Sequence, residues 1–561
     1  MATLNVSRVL RHGRDRHPDR EALVGRDVRL SYAQADDAVD ATAAALLGLG
    51  VGDGDRVAVL GWNSVAFLVA TLAIARIGAT VVPLNVRLSA LELSRQLDVT
   101  DARLLLTDDE NRERAVAAAE TSDAAPRVVG LGRTGREQLA GQGPVNDSRE
   151  PSPTPGDRLP PLEARPVERI ADAPKGADDP QRILFTSGSS GHPKAVLITH
   201  GNVWFGAYTM RTELDLAGDD RVLVAPPLFH TGGMDLPGLS ALFFGATLVV
   251  AERFRAPLML ELMVRERITG MSTIPPVVAA MLGEDAPADA AASLRWIVTG
   301  GCTPGLLDQM QEAFPGVRIV NGYGMTETLA GMAFNGPATI RSHAQTTGTP
   351  VRVMDVRIRR EDGSPARIQE PGEVVATGLK LTAGYLGPDG DVVAHPEGWI
   401  RTGDVATVDA EGFLTYVGRQ KAMIKPGGEN VALEEVERVV AEHPDVLEAC
   451  AIGIPDPRWG EVPKAFVLPR AEARPSAEEL AAFCGGRLAR YKIPKAWELV
   501  DELPRTGSGK VARSELEARE RSRPATTSKT PTAESPSEAA TASTTPTAES
   551  PTVRPTTGAV R

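Results

Sequence analysis

The chain has 561 residues, with 61 Lys+Arg against 73 Asp+Glu, and a net charge of −12. At roughly 150 residues per domain, that length suggests about three to four domains. The acidic balance, with no Lys/Arg block, excludes a nucleic-acid binder or a protein held on anionic lipid by charge, and leaves small molecules as the expected partners. Hydrophobic residues make up 42% and charged residues 24%, as in globular proteins, and Gly, Pro and Arg interrupt the apolar runs before they reach the ~18 residues of a membrane span. The first twenty residues contain no apolar core of the roughly 7–15 residues that a secretory signal needs. Cys302, Cys450 and Cys484 are an odd, scattered set, which reads as reduced thiols in a cytoplasmic protein.

In chain order, VAVLG from Val57, an amphipathic helical stretch from Ser64 and the β-branched run ATVVPLN from Ala79 give the βαβ rhythm of a parallel sheet. LLLTDD at 104–109 reads as the next strand. Between about 121 and 180, Pro, Gly, Ser and charges accumulate, so this stretch is expected to be a loop-rich insertion or linker, dispensable for chemistry. The rhythm resumes with RILFTSGSSG, the helical NVWFGAYTM, and the strands RVLVAPPL, ATLVVA, RWIVTGG and VRIVNGYG. Ligands bind at the carboxyl ends of strands in open α/β sheets, so the glycine-bearing strand ends point to one crevice. Past Arg419 a smaller unit is expected, with a helix from about Leu433 to Glu442, a strand around LEACAIG and a helix near AEELAAFCGGRLA. The residues from about 521 are Thr, Ser, Pro, Ala and Glu, with TPTAESP occurring twice. Such a tail is expected to be disordered, because it cannot bury enough surface to offset its ordering entropy.

Thr186, Ser187, Gly188, Ser189, Ser190 and Gly191 lead to Lys194, so hydroxyls, backbone-exposing glycines and one cation are packed together. That set suits a polyphosphate, and taken alone it also suits a flexible Ser/Gly loop. It is not a Walker A loop, since Pro193 and Ala195 flank the lysine where Gly and Ser/Thr would be required. TSGSSGHPKA followed by ITHGN resembles the signature of the adenylate-forming superfamily of acyl- and aryl-CoA synthetases, peptide-synthetase adenylation domains and luciferases. Ala195 stands where the family has glycine. The resemblance extends over roughly residues 20–515.

That resemblance implies an α/β protein with a large N-terminal domain of layered α/β subdomains (1–418) and a small mobile α+β C-terminal domain (419–520), followed by the tail (521–561). It also implies roles for individual residues. NGYGMTET resembles the adenine and magnesium motif, so Asn321, Gly322 and Tyr323 would meet the base, Thr326 the α-phosphate, and Glu327 a Mg²⁺ ion. Asp404 of GWIRTGD would accept the ribose hydroxyls and Arg419 would make a second nucleotide contact. Lys510 of LPRTGSGK would bridge the carboxylate and the α-phosphate, where a cation lowers the repulsion between two approaching anions. Lys421 would be the hinge, with Ala422 in place of a common acidic neighbour, and Gly427 and Gly428 would line the pantetheine path.

His230 of APPLFHTGG matches an acyl-pocket position where amino-acid-activating relatives carry Asp, which favours an uncharged tail on the acid. Thr231, Gly232, Gly233, Met234, Gly300, Gly301, Leu329 and Met332 are small or apolar pocket positions. Cys302 lies beside them with no base announced nearby and is read as packing. The implied activity is an ATP-dependent carboxylate–CoA ligase using ATP, Mg²⁺ and CoA. The alternatives are a carrier-protein or amine acceptor, activation of nitrite for diazo formation, a luciferase-like oxygenase, or a catalytically silent nucleotide binder.

Overall fold

The computed structural model describes residues 3–133, 157–166, 168–186, 193–284, 289–302, 304–387, 389–424, 426, 431–456, 459–471, 473–485, 487–506 and 509–522. Ser187, Gly188, Ser189, Ser190 and Gly191 of the Ser/Gly loop, Gly427, Gly428 and the tail beyond 522 lie outside the described residues.

Two large sheets organise the N-terminal part. One has, in spatial order, Val392–Val393, Gly384–Leu386, Lys194–Thr199, Pro180–Thr186, Thr80–Leu84, Arg56–Leu60, Leu104–Thr107 and Arg127–Gly130. Its central strands, RVAVL, TVVPL and LLLT, pair in parallel. They are continuously apolar because both faces are covered. The other sheet runs Thr349–Pro350, Ala333–Asn335, Arg318–Tyr323, Trp296–Gly300, Gly270–Thr273, Arg221–Val224, Thr247–Val250, Glu21–Val24 and Arg29–Ser31. It is parallel from Arg318–Tyr323 to Glu21–Val24 and antiparallel at its edges.

Helix Val65–Arg76 is buried at every position but Ala66, as a helix without a polar face must be. One core joins it to both sheets. Just ahead of it, the Asn63 amide donates to the carbonyls of Pro226 at 3.0 Å and Ala251 at 3.2 Å, and its oxygen accepts the Leu228 N–H at 2.7 Å. The helix entering from one sheet is thereby tied to strand ends of the other. Along Trp296–Gly300, Trp296 and Val298 face this shared core, while Ile297 faces a second one under helices Ala256–Arg265, Pro275–Leu282 and Pro304–Ala313.

An antiparallel sheet follows, built from Met354–Arg359, Gly372–Gly378, Ile400–Val408 and Leu414–Arg419. Beyond it, Val446–Asp456, Gly460–Pro469 and Ala496–Leu499 form a three-stranded sheet with helices Leu433–Ala441, Ala477–Gly485 and Arg513–Arg521. This unit has its own apolar clusters, and the expected elements at 433–442, 447–453 and 477–489 fall on it. No helix among the described residues is long and apolar enough to cross a membrane.

One expectation is corrected. The stretch 121–180 is not all loop, since Arg127–Gly130 extends the parallel sheet and Leu159 and Leu162 enter the core. Four residues of RVVG are too few to display a period. The same stretch is anchored by charge: fully buried Arg76 contacts Asp36 at 2.6 Å, Asp40 at 2.7 Å and Asp172 at 3.3 Å. Arg11 meets Asp172 at 2.9 Å, and Arg169 meets Asp36 at 2.6 Å. The glycine-bearing strand ends come from two sheets: Pro180–Thr186 belongs to the first, and Trp296–Gly300 and Arg318–Tyr323 to the second.

Candidate active site

Thr186 and Lys194 close the antiparallel pairing of Pro180–Thr186 with Lys194–Thr199, so the Ser/Gly segment connects two adjacent strands. The Lys194 ammonium stands 4.8 Å from the centre of the Tyr385 ring. The Tyr385 hydroxyl donates to Glu327 Oε1 at 2.9 Å. Glu327 is buried, at 4% exposure, in the turn Thr326–Thr328 that follows Arg318–Tyr323. Tyr385 therefore joins the lysine on one sheet to the carboxylate on the other. Sequence reasoning missed it because a lone tyrosine in LTAGYLG carries no spacing signal.

The turn is followed by Leu329 at φ 50° and Ala330 at φ 61°, a left-handed conformation that costs a non-glycine residue roughly 1–2 kcal/mol. Its close packing needs glycines, since a Cβ on Gly324 would lie 2.7 Å from the Gly331 nitrogen.

Asp404 and Arg419 are direct partners across strands Ile400–Val408 and Leu414–Arg419, with Arg419 Nε 2.6 Å from Asp404 Oδ1. The Tyr323 hydroxyl donates to Asp404 Oδ2 at 2.7 Å, and its ring lies 6.0 Å from that of Tyr416. Burial raises the Asp404 pKa, opposed by the charge of Arg419 and the Tyr323 hydrogen bond. Asn321 is engaged internally: its oxygen accepts the Cys302 N–H at 3.3 Å and its amide donates to the Thr346 carbonyl at 3.0 Å. Gly322 packs on Phe334, whose ring would be 2.9 Å from an added Cβ.

His230 caps the turn Thr231–Gly233 and packs on Phe229 at 4.7 Å. Burial, then the charges of Lys510 and Arg87, lower its pKa to about 4, so the ring is neutral near pH 7. Its Nε2 is buried without a hydrogen-bond partner. Gly232 and Gly301 open onto free space, with nothing within 4 Å of a Cβ built on either. Thr231, Met234, Leu329 and Met332 are buried. Cys302 is 9% exposed and burial pushes its thiol up to about 11, which makes it packing material rather than a nucleophile.

Lys510 comes from the small unit, on a turn closed by Thr506 N–H to the Lys510 carbonyl at 2.7 Å. Neighbouring Gly509, at φ 86°, passes so close to Arg87 that a Cβ would sit 2.9 Å from its Nη1. Desolvation and then Arg419 lower the Lys510 pKa, with Asp404 opposing them. The charge of Lys510 contributes to lowering the pKa of His230 and opposes the rise at Asp404. Lys421 lies in the short turn Gln420–Ala422 between the sheets' last strand and the small unit. Nearby, a Cβ on Gly418 would meet Ala432 Cβ and Glu434 Oε2, both at 2.9 Å.

Among the described residues no group of three or more His, Cys, Asp or Glu is placed to hold a metal ion. A single buried carboxylate fits a Mg²⁺ that also takes oxygens from nucleotide phosphates, and does not fit a resident all-protein cage.

The profile described as AMP-binding enzyme matches residues 10–386, and that described as AMP-binding enzyme C-terminal domain matches 435–510. A feruloyl-CoA synthase from Amycolatopsis sp. is 36% identical over 87% of this chain and 94% of its own. The long-chain-fatty-acid–CoA ligase FadD13 of Mycobacterium tuberculosis is 33% identical over 91% of this chain and 98% of its own. The solved o-succinylbenzoate CoA synthetase of Bacillus subtilis, in complex with its acyl-adenylate intermediate, superposes with a TM-score of 0.77 at 29% identity, covering 91% of this chain and 97% of that one.

Proposed function

This chain belongs to the AMP-binding enzyme family, and on that premise we propose that it is an AMP-forming ligase joining an uncharged, aryl-type carboxylic acid to coenzyme A. The acid's carboxylate attacks the α-phosphorus of ATP and displaces pyrophosphate. The CoA sulfur then attacks the carbonyl carbon of the acyl-adenylate, AMP leaves, and the thioester forms. The observation that carries this reading is the side-chain chain Lys194–Tyr385–Glu327 across the two sheets, together with the Asp404–Arg419–Tyr323 cluster, which join residues of the expected nucleotide motifs.

In the first step Lys510 offsets the repulsion between the carboxylate and the α-phosphate, and Thr326 donates to a phosphate oxygen. Thr186 and Lys194, which flank the segment 187–191, and the hydroxyls and backbone N–H groups of that segment would bind the outer phosphates. Asp404 exchanges its internal donors for the ribose hydroxyls, Arg419 steadies it, and the Tyr323 ring stacks on adenine beside Gly322, while Asn321 holds the strand end beneath. Glu327 would hold Mg²⁺, which neutralises phosphate charge when bound. The acyl group enters between His230, Thr231 and Gly232 on one side and Gly301, Cys302 and Leu329 on the other. The neutral His230 ring gives no counter-ion for an ammonium. Lys421 is the pivot that exchanges Lys510 for Gly427 and Gly428 at the site before CoA attacks.

The relatives described above are named for CoA thioesters, which favours CoA over a carrier protein, an amine or nitrite. The test is incubation with MgATP and ferulate, o-succinylbenzoate or a long-chain fatty acid, with and without CoA. The expected products are pyrophosphate, AMP and a thioester, strongest with ferulate. A lack of AMP from every acid, or adenylate that CoA does not discharge, overturns the reading.

A further inference from the structure

Three charged side chains, one of them just after the turn 231–233, are closed off from solvent. Arg182 and Lys380 are fully buried and Asp235 is 4% exposed. Arg182, within strand Pro180–Thr186, pairs with Asp235. Asp235 lies in the helical turn Met234–Leu239, directly after the pocket residues 230–233. Lys380 stands between strands Gly372–Gly378 and Gly384–Leu386, where burial lowers its pKa to about 7, opposed by the charges of Asp235 and Glu213. An ammonium taken from water is costly unless it is paired and hydrogen-bonded. Among the described residues the Lys380 side chain donates to the Gly331 carbonyl.

That carbonyl is where the turn bearing Glu327 needs support. Gly331 packs against Gly324, and the two consecutive left-handed residues Leu329 and Ala330 lie between them. Such a pair persists only where its surroundings hold it. The post that holds it is rigid: the Asn202 amide donates to the carbonyls of Leu379 at 3.3 Å and Leu381 at 3.0 Å, on either side of Lys380. The next residue, Thr382, gives its N–H to the Glu327 carbonyl at 2.9 Å.

We propose that Lys380 is a positioning residue for acid activation: its buried side-chain nitrogen anchors the Gly331 carbonyl and holds in place the loop bearing Glu327 and Leu329. The loop anchoring stands on geometry alone, and its consequence for catalysis rests on the function proposed above.

The test is hydrogen exchange on the full chain, read over residues 324–334, together with KM values for ferulate and MgATP. Lys380→Met keeps the length and removes the donor. It is expected to speed exchange in that segment about tenfold or more, leaving strands Arg56–Leu60 and Thr80–Leu84 unchanged. The ferulate KM should rise severalfold and the MgATP KM change less than about twofold, with partial rescue by Lys380→Arg. If Lys380→Met does not fold, Lys380→Met combined with Glu213→Gln removes the donor and one opposing carboxylate while leaving the Arg182–Asp235 pair intact, and the same exchange is read. Unchanged exchange at 324–334 in either folded variant overturns the inference, and so does an equal rise throughout the fold. If the wild type activates no acid while the exchange result holds, the proposed function fails and the anchoring stands.

Discussion

Removing one hydroxyl, by Tyr385→Phe, tests the link between the two sheets. The bond lost is the 2.9 Å donation to a carboxylate that is 4% exposed, so little water can replace it. A hydrogen bond to a charged group contributes about 1.5–3 kcal/mol. At about 1.4 kcal/mol per factor of ten, that corresponds to roughly 10–150-fold. The phenylalanine ring still offers its face to Lys194, so the loss is confined to the orientation of Glu327. The assay is the initial rate of pyrophosphate release at saturating acid while Mg²⁺ and MgATP are varied in turn. We expect half-saturating Mg²⁺ to rise, kcat/KM for MgATP to fall by the factor above, and the acid KM to stay within about twofold. Tyr385→Leu, which also removes the aromatic face, should cost a further ~0.5–2 kcal/mol. A folded Tyr385→Phe enzyme with unchanged Mg²⁺ and MgATP dependence refutes the argument. So does a parallel rise in the acid KM, which would mean that the loop itself had moved.

Lys510→Ala should abolish adenylate formation while sparing thioester formation from supplied acyl-adenylate, and equal loss in both half-reactions would reject its assignment. Gly232→Val should leave Tm within about 2 °C and raise the acid KM, because a Cβ there meets open space. Gly233→Ala, whose Cβ would sit 2.4 Å from the Pro226 and Pro227 carbonyl oxygens, should lower stability by about 1–3 kcal/mol in urea melts. His200 is fully buried, accepts the Val6 N–H at 3.1 Å, and has its pKa lowered to about 3 by burial. It is neutral in the fold while the unfolded chain takes up a proton below about 6.5, so its contribution is complete above that pH and is lost as pH falls toward 3. Urea melts should show about 2 kcal/mol of this loss between pH 7.5 and 5.0, and an unaltered pH slope in His200→Asn would contradict it.

The parallel strands were legible because burial on both faces writes them as unbroken apolar runs, as in RVAVL and LLLT. The strand ends at Thr186, Gly300 and Tyr323 were legible because glycine and hydroxyl residues punctuate them. Helix Tyr32–Gly48 was hidden, since buried Asp36 and Asp40 interrupt its apolar face and are accounted for by remote partners, Arg76 and Arg169 among them. The sheet carrying Asp404 and Arg419 was hidden too: its first strand, MDVRIR, has only Met354 and Ile358 buried, and so reads as a charged loop. Asn63, Tyr385 and Lys380 act through partners far away in sequence, and no local pattern marks such residues.

The charges around Arg76 bear on how the polypeptide could be divided. Residues 157–180 are fastened to the opening helices through Asp172 and Arg169, and the strand Arg127–Gly130 is zipped to Leu104–Thr107 on the near side. Both banks of the segment 134–156 are therefore moored independently of the peptide that joins them. A nick there, or two halves expressed separately with ends in that segment, should leave a reassembled protein whose site is whole, because every residue proposed to bind nucleotide, acid or CoA lies on the later fragment and the surface that receives it is carried by the earlier one.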